Sequence, residues 1–165
     1  MSDAQIDNAH SIDELNRLLA SSDLVNTCLY KLHLQSQFEA WYAMLSALNA
    51  LLGHGEIQYV RSTVDEPTGT VDAAVLTADL IVHARAVLGE DPRFIGAEIV
   101  SRRALRLLDI TAVARPNNQG DRRAFTAHAH YEGLAEPIRF APHSQYEPDA
   151  PLLEVIDALR TDLRR

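Results

Sequence analysis

Hydrophobic positions along this chain follow a helical period, then a strand period, then a helical period again. Ile12, Leu15, Leu18 and Leu19 share one helical face. Ser11-Ile-Asp-Glu14 before them has the order of a capping box, which predicts a helix over 11–20. Ser21-Ser22-Asp23 interrupts, and Asp23 is a candidate cap for a second helix over 24–34 carrying Leu24, Val25, Cys28, Leu29 and Leu32. Ser36-Gln-Phe-Glu39 repeats the capping-box order and marks a break or bend near His33 to Ser36. Phe38, Trp41, Tyr42, Leu45, Leu48, Leu51 and Leu52 then form a strong apolar stripe over 36–52. Gly53 suits the stop because glycine tolerates the left-handed conformation.

From Glu56 the chain becomes rich in β-branched residues and is broken at short intervals by turn residues. Strands are predicted near 56–63, 70–77, 80–87, 95–102, 107–115, 123–131 and 136–141. Asp65-Glu-Pro-Thr-Gly69, Gly89-Glu-Asp-Pro92 and Asn117-Asn-Gln-Gly-Asp121 supply turn chemistry between them. Val71, Ala73 and Val75 alternate with Asp72, Ala74 and Leu76. Phe125, Ala127, Ala129 and Tyr131 alternate with Thr126, His128 and His130. That alternation predicts one buried and one wet face for each strand. Arg102-Arg-Ala-Leu-Arg106 reads equally as a short helix or as a turn entering a strand. At the end Asp149 and Pro151 suit a helix start, and Leu152, Leu153, Val155, Ile156, Leu159 and Leu163 make one apolar face.

Composition narrows the function classes. The chain has 165 residues, 47% hydrophobic and 23% charged, which fits one globular domain with a helical segment. A formal net charge of -8 argues against nucleic-acid binding and against docking on anionic lipid. The single cysteine, Cys28, excludes an intramolecular disulfide and sits among apolar neighbours as a small hydrophobe. No secretory leader and no membrane-length apolar run is read in the sequence, so the expected location is the cytoplasm. Lys31 is the sole lysine among 15 basic residues, a bias that reads as the codon usage of a GC-rich bacterial genome.

Three segments carry a family resemblance. Leu51-Leu-Gly-His-Gly-Glu-Ile57 resembles the lead-in to the first strand of bacterial pleckstrin-homology-like (PH-like) domains. Gly69 to Val82, with Val75-Leu-Thr-Ala-Asp-Leu-Ile-Val82 at its end, resembles their strand-turn-strand hairpin around Thr77-Ala78-Asp79. Ile110-Thr-Ala-Val113 resembles a later strand. Thr77 and Asp79 also have a physical reason to be there, as short acceptors for the amides of a tight turn. The resemblance covers about residues 51–165 and implies a seven-stranded antiparallel PH-like barrel or sandwich with a C-terminal capping helix (53–165); with the N-terminal helices (1–52), which lie outside that core fold, the expected class is α+β.

It also implies a binding or scaffolding role in place of catalysis. Phosphoinositide binding, the first function such a fold suggests, is not expected, because Ser62 to Thr70 holds Asp65 and Glu66 and no base. No nucleophile elbow, phosphate loop or paired carboxylate is present, so no catalytic residue, cofactor or metal is assigned. Three clusters remain. Arg102, Arg103 and Arg106, with Arg115, Arg122 and Arg123 nearby in sequence, are a candidate anion or partner patch. His128 and His130 share a strand face, read either as a solvated pair or as the start of a metal site that His54 and His143 would join. Phe38, Trp41, Tyr42 and Leu45 are a candidate association surface. The expected function is a protein-interaction module that self-associates. The alternative is a small-molecule-binding or enzymatic α+β barrel with His128 and His130 in its cavity.

Overall fold

The computed structural model describes residues 12–113, 124–141 and 150–164. The elements run α1 (12–19), α2 (Asp23–Tyr30), α3 (Gln35–Leu52), β1 (Tyr59–Asp65), β2 (Thr70–Leu76), β3 (Leu80–Val87), β4 (Arg93–Ser101), a 3-10 turn (Arg102–Ala104), β5 (Leu105–Val113), β6 (Ala124–Tyr131), β7 (Ile138–Phe140) and α4 (Ala150–Asp162). The strands form two antiparallel meanders, β1-β2-β3-β4 and β5-β6-β7. They are two sheets and do not close into a barrel.

Side-chain alternation splits the molecule into three layers. Val71, Ala73 and Val75 of β2, with Val82, Ala84 and Ala86 of β3, point to one face and pack under Leu15, Leu19, Val25, Trp41, Met44, Leu45 and Leu48. Ala74, Leu76 and Ile81 point to the other face. There they share a second core with Leu105, Ala127, Ala129, Ile138 and Phe140 of the smaller sheet and Leu152, Val155, Ile156 and Leu159 of α4. The central strands β2 and β3 are therefore buried on both faces. The wet face predicted for β2 is corrected: its second face looks into the space between the sheets. Four fully buried aliphatic side chains on α4 contribute about 1.5–3 kcal/mol each, which makes α4 an integral wall.

Local differences from the predicted elements have identifiable causes. Helix α3 starts at Gln35, ahead of the predicted cap at Ser36, because the Gln37 side chain does the capping. Its Oε1 accepts from the amides of His33 and Leu34 at 3.0 Å each, and its Nε2 donates to the Leu88 carbonyl at 2.8 Å. Asp23 lies inside α2, with Ser22 at the cap position. The caps expected at Ser11 and Asp149 lie outside the described residues. The Arg102 segment is a 3-10 turn leading into β5. No helix among the described residues is long and apolar enough to cross a membrane.

Candidate functional site

The space between the sheets carries a polar group that sequence reasoning missed. Arg61, Asp72, His83 and Arg85 lie on the inner faces of β1, β2 and β3, placed there by the registers Arg61↔Ala74, Ala74↔His83 and Asp72↔Arg85. His83 Nε2 lies 3.0 Å from Asp72 Oδ1. Arg85 Nε is 3.2 Å from the same oxygen, a charge contact without hydrogen-bond alignment. Arg85 Nη1 donates to Glu136 Oε2 at 2.7 Å, which links the two sheets. Arg61 is buried and donates from Nε and Nη2 to the Ala141 carbonyl at 2.9 and 2.6 Å, where the chain leaves β7. Arg85 with Glu136 and Arg61 with the Ala141 carbonyl tie the larger sheet to the segments flanking β7. Asp72 to Arg85 is thirteen residues of sequence folded into one hairpin, so only the register brings the charges together.

The three arginines expected to form a patch do not share a surface. Arg102 is buried: Nε donates to Asp162 Oδ2 at 2.7 Å, Nη1 to the Thr77 carbonyl at 2.7 Å and to Gln58 Oε1 at 2.8 Å. It neutralises a carboxylate at the last residue of α4, where the helix dipole disfavours negative charge. Beside this pair the buried Tyr131 hydroxyl has no hydrogen-bond partner. Burial pushes its phenol well above the ordinary tyrosine range, and the Asp162 carboxylate adds to the shift against the opposing Arg102. Arg103 is exposed, and Arg106 pairs with Glu132 across the β5–β6 edge. Arg115, Arg122 and Arg123 lie outside the described residues.

His128 and His130 do share a face, and it is the outer face of the smaller sheet. Ala127, Ala129 and Tyr131 between and beside them point into the core. The register sets Asp109 opposite His128, and the carboxylate serves both rings: Oδ1 lies 3.3 Å from His128 Nδ1 and Oδ2 lies 2.7 Å from His130 Nε2. The His130 hydrogen bond, helped by the His128 charge, holds the Asp109 carboxyl below the usual carboxylate range. The side chains of His128 and His130 are 29% and 39% exposed. His143 lies outside the described residues. Among the described residues no three His, Cys, Asp or Glu side chains are placed to hold a metal ion.

The candidate association surface divides. Trp41 and Leu45 are buried in the helix–sheet core, and Trp41 Nε1 donates to Asn16 Oδ1 at 2.8 Å, which ties α1 to α3. Phe38 and Tyr42, one turn apart and following Leu34 at the helix entry, are 43%, 49% and 52% exposed. A second apolar surface lies along β4, where Phe94, Ile95 and Ile99 are half-exposed. Between α3 and the start of β4 runs a groove of about 260 Å³ lined by Ser36, Glu39, Ala40, Ala43, Pro92, Arg93 and Phe94. A larger groove of about 400 Å³ lies where α3 ends, around Glu14, Asn49, His54 and Glu56. Neither groove includes His128 or His130.

A meander of four strands, a second meander of three and a C-terminal helix make an α+β fold of two antiparallel sheets. Among solved structures, the chain is similar to the crystal structure of a pleckstrin homology domain from Shewanella amazonensis SB2B. That match has a TM-score of 0.44 and 11% identity, and it covers 72% of this chain and 96% of the other. No protein-family model matches the chain, and no curated protein matches it.

Proposed function

We propose that this chain is a non-enzymatic protein-interaction module that associates with copies of itself. The observation that carries this reading is the set of large apolar side chains that the described chain leaves about half exposed: Phe38 and Tyr42 on α3, and Phe94, Ile95 and Ile99 on β4. The two buried cores are built from other residues, which leaves this apolar surface available to a partner. The titratable groups support a binding role over a catalytic one. Asp72, His83, Arg85 and Arg102 are tied into structural pairs, and Asp109 pairs with the part-exposed His128 and His130.

Size-exclusion chromatography with light scattering tests this over a range of concentrations. A mass that rises above the 18.3 kDa of one chain is the expected result. A clean monomer at high micromolar concentration overturns the reading.

A further inference from the structure

We propose that the second copy docks on the free edge of β4, antiparallel and with a two-fold axis at Ala97, joining two four-stranded sheets into one; the proposal rests on the self-association reading above. Strand β4 is the outer strand of its sheet, and it is long, with Ile95 and Ile99 exposed on it. An edge of this kind is a template for another strand. A register shift beside Arg85/Ala86 makes Ile95 the bulged residue, so the regular stretch available for pairing runs from there to Ser101.

Gly96 picks out the register. Its φ is not positive, and a Cβ built on it meets nothing within 4 Å, so neither its backbone nor its own chain requires glycine there. Glycine inside a strand weakens the strand, and it marks places where another group comes close. With the axis at Ala97, Gly96 faces Glu98 of the second copy. Glu98 is exposed and forms no ion pair with any described residue. On the near side of Gly96 stands Arg85, its register partner on β3. The Arg85 side chain is 34% exposed. The second copy's glutamate therefore reaches over the glycine towards a part-exposed arginine of opposite charge, and symmetry repeats the contact. On the opposite face of the sheet the same register sets Ile95 against Ile99 twice and Ala97 against Ala97. A C2 contact of this kind is self-complementary and closes at a dimer.

The test uses the full chain and reads the dimer dissociation constant by light scattering and sedimentation. Gly96→Glu places like charges opposite one another at two symmetric positions and is expected to weaken the dimer about tenfold or more. Gly96→Lys is expected to keep or tighten it, and Gly96→Glu with Glu98→Lys to restore it. Because a side chain at Gly96 has open space, these variants fold, and circular dichroism checks that they do. In a Cys28→Ala background, Ala97→Cys is expected to cross-link two copies under mild oxidation, and Ile99→Cys alone is not. A dimer that ignores every Gly96 variant, fails to cross-link through Ala97→Cys, or dissociates only on Phe38→Ser with Tyr42→Ser overturns the edge proposal and leaves self-association standing. A monomer overturns both.

Discussion

Arg102 shows how a residue that looks like a surface charge in sequence can become a structural centre. It follows β4 in an arginine-rich turn, yet its guanidinium meets Asp162, Gln58 and a Thr77 carbonyl from three separate parts of the chain. Both charged side chains are nearly inaccessible, at 8% and 2% exposure. Removing one partner leaves the other buried and uncompensated, so Arg102→Leu and Asp162→Asn are each expected to cost about 3–5 kcal/mol in urea denaturation. Tyr131→Phe, which deletes a hydroxyl that has no partner, is expected to be neutral or stabilising by about 1 kcal/mol, with the same measurement checking it. Asp109 gives a pH dependence of known sign. Its carboxyl is held below the unfolded value of about 3.9 by His130 and His128. Its contribution to stability is therefore full above about pH 4 and is lost as pH falls through the folded value. Denaturation midpoints measured from pH 6 down to pH 2 are expected to drop less steeply for Asp109→Asn than for the parent chain.

At the level of elements, Gln37 and Gly89 do work that no local pattern announces. Gln37 caps α3 and also fixes that helix to the end of β3 through the Leu88 carbonyl. Gln37→Ala removes three hydrogen bonds at a buried site and is expected to cost about 2–3 kcal/mol by chemical denaturation. Gly89 lies against the β1–β2 turn, where an added Cβ would sit 2.5 Å from the Thr68 carbonyl oxygen, so Gly89→Ala is expected to destabilise by about 1–3 kcal/mol. Most element positions were readable from period and turn residues, since Gly, Pro, Asn or Asp signals separate the strands everywhere except at Arg102–Ala104 between β4 and β5. The shared face of His128 and His130 was readable too, because alternation within one strand is local. What binds them was not: Asp109 reaches them only through the β5–β6 register, across a gap of nineteen residues. The same holds for Asp72 with His83 and for Arg102 with Asp162. The double burial of β2 did leave a trace, in the run Ala73-Ala-Val-Leu76, which is apolar at both parities and so has no wet side.

At the scale of the whole molecule, the division into a helical segment and a strand domain is one of sequence and not of packing. The helices lie over the larger sheet and share its core, with Ser62 of β1 donating to the Leu19 carbonyl at 2.7 Å and Trp41 locking α1 beneath. Removing them would bare Val71, Val75, Val82 and Leu88 together with the small residues Ala73, Ala84 and Ala86 on one continuous sheet face. At about 25 cal/mol per Å² of apolar surface, exposure of several fully buried aliphatic side chains amounts to much of a domain's net stability. A chain truncated to 53–165 is therefore expected to aggregate or to bind a hydrophobic dye, and to lose the sharp thermal transition of the full chain. A truncated chain that remains monomeric, dye-silent and cooperatively folded would show that the smaller core between the sheets suffices alone. In that case the helices would be free to leave the sheet, and their apolar face would join Phe38 and Tyr42 as a surface open to partners.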